Sequence, residues 1–175
     1  MSNTPRITAI ILASGKGNRF GRPKLEADHH GEKFLQIILR KLAESGCEEV
    51  FIARDLDTPD MLSTLRFALN ALQGQTNRGY LIYPVDHPLV QVQTIKSLIE
   101  AAIRLPSSVI RPCFSGFRGH PVYIPRELDL NADDSEDGLA GIIRNSSVPR
   151  FDLPVDDEAI LKNINYPSDL ETVTL

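Results

Sequence analysis

Residues 12–24 read LASGKGNRFGRPK. They follow an apolar run containing Ile7, Ala9, Ile10 and Ile11 and precede an amphipathic segment that begins near Lys33. Gly15, Gly17 and Gly21 are interleaved with the cations Lys16, Arg19, Arg22 and Lys24. Glycine lets backbone N–H groups approach a ligand closely, and the cations supply charge for a polyphosphate. The stretch reads as a triphosphate cradle. It is not a Walker A loop, because no Gly-Lys-Ser/Thr stands at the required spacing. A dinucleotide turn needs a helix opening among the glycines, whereas Arg22-Pro23-Lys24 and the DHHG segment at 28–31 keep the chain irregular to about residue 32. A loop of about 18 residues implies function rather than a simple connection.

Outward from this loop the chain alternates. Residues 6–13 read as a buried strand, and Phe34, Leu35, Ile38 and Leu42 recur at helical spacing over about 32–45, with Gly46 as the stop. EVFIA at 49–53 is a second strand. Leu62, Leu65, Leu69 and Leu72 make a helix ending at Gly74, and YLIYPV at 80–85 is a third strand ending in Asp86-His87-Pro88. Ile95, Leu98, Ile99 and Ala102 predict a helix ending before Pro106, and Val109-Ile110 a short strand. Alternation of this kind predicts an α/β fold with a mostly parallel sheet covered on both faces, and ligands bind at the C-terminal strand ends of such sheets. Ser14, Asp55 and Asp86 all fall at such ends.

Beyond residue 112 the pattern changes. Residues 112–125 predict a hairpin or flap, 129–137 an exposed acidic loop, 138–143 a short helix and 148–153 a strand. At the end, ILKNI (160–164) is strand-like and Pro-Ser-Asp-Leu (167–170) reads as a helix start.

The chain has 175 residues, which fits a single domain over 1–175. With 42% hydrophobic and 24% charged residues, it has the composition of a soluble globular protein and no run long enough to span a membrane. A formal net charge of −4 argues against a nucleic-acid partner, so the local positive charge at 16–24 points to a small anion. The N-terminus carries no secretory pattern, and the two cysteines, Cys47 and Cys113, lack metal-ligand spacing, which suits a reducing cytoplasm.

Asp86, at a strand end two residues before a proline, reads either as a Mg²⁺ ligand or as a helix-capping or turn residue. The cationic loop on the same edge favours Mg²⁺, a hard cation that takes one or two carboxylates plus substrate phosphates. His29 and His30 lack a third ligand at suitable spacing and read as loop residues.

LASGKGNRFGRPK resembles the LAAGxSxRFGxxK signature of the MobA-like nucleotidyltransferases, which include molybdenum cofactor cytidylyltransferases and guanylyltransferases. DMLSTL (60–65) is similar to that family's GMxxSL segment, VDHPLV (85–90) to its DxPxV metal motif, RGHPVYI (118–124) to the RGHPV motif of the cytidylyltransferase branch, and NINYPSDL (163–170) to its closing segment. The resemblance implies a three-layer α/β/α domain akin to glycosyltransferase A-type folds. It implies Mg²⁺-dependent transfer of a nucleoside monophosphate from CTP, or GTP, to a phosphorylated acceptor such as molybdopterin, with release of pyrophosphate. By the same resemblance Leu12, Ala13, Ser14, Gly15, Gly17, Arg19 and Lys24 bind the nucleotide, with Arg19, Lys24 and Asp86 catalytic. Ser63 lies near the ribose or base, Gly119 and His120 near the acceptor, and Asp86, Asn163 and Asn165 on the metal side. Ser14 matches neither the alanine of cytidylyltransferases nor the glycine of guanylyltransferases, Asp60 replaces a glycine, and Asn163 and Asn165 stand where the RGHPV branch has aspartates. Sugar-1-phosphates are the alternative acceptors. A non-catalytic nucleotide- or cofactor-binding protein serving a molybdoenzyme partner is the second reading.

Overall fold

The β-branched run after Arg6 makes the central strand, β1 (Arg6–Leu12), because both of its faces find apolar cover. The computed structural model describes residues 6–14, 28–54, 56–75, 77–131, 137–165 and 169. β2 (Asp28–His29) and β3 (Glu32–Lys33) form a small antiparallel ribbon leading into α1 (Phe34–Glu44), which stops at Gly46, with φ +81°. There follow β4 (Glu49–Ala53), α2 (Met61–Ala71), β5 (Asn77–Pro84), α3 (Val92–Arg104), β6 (Val109–Phe114), β7 (Phe117–Arg118), β8 (Val122–Pro125), α4 (Gly138–Asn145) and β9 (Arg150–Pro154).

The seven-stranded sheet runs β4-β1-β5-β8-β6-β7, with β9 paired to β6. β4, β1, β5, β6 and β9 point one way, while β8 and β7 run against them. Ile10 sits opposite Phe51 on one side and Ile82 on the other. Alternation along β1 then divides the core. Ala9 and Ile11 face the layer that includes Phe34, Ile38, Leu42, Ile95 and Leu98 of α1 and α3, whereas Ile10 and Leu12 face Leu65 and Ala68 of α2 and Ile142 and Ile143 of α4. This is the expected α/β/α arrangement. Cys47 and Cys113 are free thiols, and among the described residues no helix is long and apolar enough to cross a membrane.

Two expectations change. The segment at 112–125 forms a hairpin only at its tip, where β7 pairs with the end of β6. Its second arm, β8, inserts antiparallel between β5 and β6, because Val122, Tyr123, Ile124 and Pro125 are buried and need cover on both faces. ILKNI does not form a strand. Glu158–Leu161 is a 3-10 helix whose N-cap, Asp157, accepts the Ala159 N–H at 3.1 Å. The other carboxylate oxygen of Asp157 accepts the Gln91 N–H and the Thr94 hydroxyl at the start of α3. That local cap overrides the β-branched pattern, and Ile160 and Ile164 are buried in the α1/α3 layer without joining the sheet.

Candidate active site

Two main-chain hydrogen bonds carry the sheet one step past its strands: Ala13 N–H to the Ala53 carbonyl at 2.9 Å and Val85 N–H to the Leu12 carbonyl at 3.0 Å. They set Ser14 and Asp86 on the same C-terminal edge, where both line a cavity of about 590 Å³ with Leu12, Asp57, Thr58 and Asp60. Gly15, Gly17, Arg19, Lys24 and Asp55 lie outside the described residues, as do 132–136 of the acidic stretch and most of the 167–170 segment.

The wall of this cavity is a hydroxyl network. Thr64, on the first turn of α2, donates its hydroxyl to the Asp60 carbonyl at 3.1 Å, and its Oγ1 stands 2.6 Å from both Ser14 Oγ and Thr58 Oγ1. A threonine has one hydroxyl hydrogen. Asp60, Ser14 and Thr58 all stand within reach of that one hydrogen, so the three hydroxyls form a single network on the cavity wall. Asp60 itself is the N-cap of α2: its carboxylate accepts the Ser63 N–H at 2.7 Å, which holds it below the usual carboxylate range. Ser63 thus helps anchor the cap and is not part of the cavity lining.

Asp86 is 9% exposed, and its carbonyl accepts the Ile164 N–H at 2.7 Å. That bond brings Asn163 and Asn165 beside the Asp86 backbone. The Asp169 carboxylate holds the Asn165 N–H at 2.8 Å. The loop after Asp86 is pinned by two residues that the sequence patterns did not single out. Tyr83 donates its hydroxyl to the His87 carbonyl at 3.2 Å, and Lys41 reaches across from α1 to donate to the Pro88 and Val90 carbonyls, each at 2.8 Å. Burial pushes the Lys41 pKa down. The only linear hint of this role is a lysine among the apolar positions of α1.

His87 Nε2 lies 3.8 Å from Asp86 Oδ1, and the His87 ring packs on His120 at 4.9 Å between centroids. Burial lowers the His120 pKa while the Asp86 charge opposes it. The buried Nδ1 of His120 has no hydrogen-bond partner among the described residues. Gly119 packs against the carbonyl of Ile160 so tightly that a Cβ would collide with it, and the His120 N–H donates to that same carbonyl at 2.9 Å. Glycine is required at 119 by this close approach.

His120 and Gly119 line a second cavity of about 700 Å³, which shares Leu12 and Met61 with the first. Arg111, Arg118, Arg144 and Arg150 also line it. They are scattered along the chain, so no motif joins them, and only Arg118 belongs to a segment singled out by resemblance.

A family model for the MobA-like NTP transferase domain matches residues 9–150. The chain belongs to this family. As a MobA-like NTP transferase domain it is of nucleotidyltransferase type, and the match includes the 12–24 loop, Asp86 and RGHPV, while Asn163 and Asn165 lie beyond it. Solved structures share the fold at low identity. The Rv0371c protein of Mycobacterium tuberculosis H37Rv aligns with TM-score 0.77 and 19% identity over 95% of this chain and 96% of that one. A complex of Rv0371c with manganese aligns with TM-score 0.74 and 18% identity, over 96% and 100% of the two chains. The 2-C-methyl-D-erythritol 4-phosphate cytidylyltransferase of Thermus thermophilus aligns with TM-score 0.70 and 18% identity, over 95% and 96%.

Proposed function

We propose that this protein transfers a nucleoside monophosphate from a nucleoside triphosphate to a phosphorylated acceptor and releases pyrophosphate. The observation that carries the reading is the convergence of Ser14 and Asp86 in one cavity at the C-terminal sheet edge, directly after the strand that leads into the glycine-rich cationic loop. In the reaction an acceptor phosphate oxygen attacks the α-phosphorus, the bond from that phosphorus to the bridging oxygen breaks, and pyrophosphate departs. A phosphate monoester, with a second pKa near about 6, is largely a dianion at neutral pH and needs no general base. The protein's tasks are to align two anions and to neutralise the charge that leaves. Gly15, Gly17, Arg19 and Lys24 take the triphosphate in this reading, Lys24 at the α-phosphate and Arg19 on the departing phosphates.

A magnesium ion fits the donor chemistry. Among the described residues no three His, Cys, Asp or Glu side chains are grouped to hold a metal. What the edge offers is the Asp86 carboxylate with Asn163 and Asn165 brought near by the Ile164–Asp86 bond. Few protein oxygens, with the remaining positions left to water and phosphate, is the usual pattern for Mg²⁺. When bound, the cation supplies charge neutralisation on the phosphates. Of the bases, the RGHPV segment favours CTP, with GTP next. Molybdopterin or its molybdenum-bound form is the acceptor that the resemblance favours, and a molybdoenzyme and a cytoplasmic setting accompany it.

The test is Asp86→Ala assayed for pyrophosphate release from CTP and molybdopterin with Mg²⁺. Loss of release with an unchanged circular dichroism spectrum is expected, and undiminished turnover would sink the proposal.

A further inference from the structure

The loop that carries Asp86 and the segment that carries Asn163 and Asn165 are closed on each other at both ends. At one end the Asp86 carbonyl accepts the Ile164 N–H at 2.7 Å. At the other stands Asp157, which lies beyond the family match at 9–150. Its Oδ2 accepts the Gln91 N–H at 2.8 Å and the Thr94 hydroxyl at 2.7 Å, while its Oδ1 accepts the Ala159 N–H of its own segment at 3.1 Å. Asp157 is 2% exposed, so these donors take the place of water around its carboxylate. They engage both oxygens, whereas an amide would keep one acceptor and turn an N–H group on the remaining donors. The start of α3 needs the carboxylate in turn. Gln91 is the N-cap of α3 and makes no side-chain cap bond, and the first turn contains no acidic residue. Asp157 supplies both the acceptor and the negative charge that a helix N-terminus favours.

We propose that Asp157 is a positioning residue for the metal side of the site, setting the spacing between Asp86 and the segment of Asn163 and Asn165. This rests on the nucleotidyltransferase reading and adds the residue that keeps the metal-side donors in register. A segment fastened at one end swings about that point, whereas one fastened at both ends holds its donors at one separation. Mg²⁺ demands near-ideal octahedral geometry, and groups that orient a metal's ligands matter nearly as much as the ligands themselves. The stretches between the two fastenings are stiffened as well. Tyr83 and Lys41 hold the carbonyls of His87, Pro88 and Val90 on one side. On the other, the 3-10 helix Glu158–Leu161, capped by Asp157, gives its Ile160 carbonyl to the His120 N–H at 2.9 Å. Asp157 spans the two sides, and Ile164, between the two asparagines, passes the spacing on to Asp86.

The test uses the full chain as Asp157→Asn, Thr94→Val and Thr94→Ser, with Ile142→Val in the opposite layer as the control for lost stability. Mn²⁺ binding in the presence of CTP and without acceptor is followed by water proton relaxation, and exchange of the Ile164 amide by NMR without metal or nucleotide. In Asp157→Asn, Mn²⁺ binding is expected to weaken by about tenfold or more, the usual effect of losing a group that orients metal ligands. Ile164 exchange should quicken beyond that of the control, whose Mn²⁺ binding stays at the wild-type level. Thr94→Val removes one hydroxyl from a buried position and gives the same directions should Asp157→Asn not fold, while Thr94→Ser, which keeps the hydroxyl, restores wild-type behaviour. Unchanged Mn²⁺ binding in Asp157→Asn and Thr94→Val, equal weakening in Ile142→Val, or no Mn²⁺ binding by the wild-type chain overturns the proposal. Failure of the nucleotidyltransferase reading shows separately, as pyrophosphate release that survives Asp86→Ala.

Discussion

Asp152 carries two guanidinium groups on one carboxylate, and hydrogen bonds from Arg118 first, then Arg111, hold its pKa below the ordinary value. A carboxyl with a depressed folded pKa contributes stability that is fully present above its unfolded value near about 3.9 and is lost as pH falls through the folded value. Asp152→Asn removes that contribution. Urea unfolding between about pH 2.5 and 6 should therefore show a shallower acid limb in the variant than in the wild type. Identical pH slopes would show that the bridge does not persist in solution. At this scale the sequence is ambiguous in an instructive way. Asp60 looks like a departure from a glycine in a base pocket, yet its φ of −151° is extended backbone open to any residue, and its carboxylate is committed to the α2 N-terminus. Asp60 is a cap and also lines the first cavity, and the cap could be recognised only once the position of the helix start was known.

Between elements, the tightest constraint is the contact of the residue before His120 with the 3-10 helix at Glu158–Leu161. The Gly119 N–H donates to Pro112 at 3.0 Å, and its α-carbon lies against the Ile160 carbonyl. Gly119→Ala must push that helix away, and with it the Ile164 N–H that bonds Asp86. We expect a loss of about 1–3 kcal/mol in urea unfolding, as overpacking of a close contact costs, together with weaker pyrophosphate release. An unchanged midpoint would show that the neighbouring backbone yields freely. The helices of the first half were legible because their apolar spacing and Gly46 act locally. The 3-10 helix was not, since its cap, Asp157, is secured by Gln91 and Thr94, more than sixty positions away. Lys41 escaped notice for a related reason: its acceptors are carbonyls of another loop.

Across the whole molecule, a nucleotide that binds the folded state alone must raise thermal stability. At about 100 times its Kd the gain is about 2.7 kcal/mol, or about 5–10 °C for a chain of this size. A series with CTP, GTP, ATP and UTP, each with Mg²⁺, should give its largest shift with CTP, the nucleotide that the RGHPV segment favours. An equal or larger shift with another nucleotide would overturn the preference for CTP.

The strand–helix alternation, and Ser14 and Asp86 on one edge, were determined by the sequence alone, because periodicity acts over a few residues and parallel topology sends strand ends to one side. What surrounds that edge was decided only by tertiary structure. β8 became an internal antiparallel strand because both of its faces found cover, and Thr64 joined Ser14 and Thr58 in one hydroxyl network. Arg111, Arg118, Arg144 and Arg150, dispersed along the chain, became a single charged rim because a second cavity opened between α2 and α4. Such features depend on contacts between residues far apart in the chain, and no local pattern encodes them.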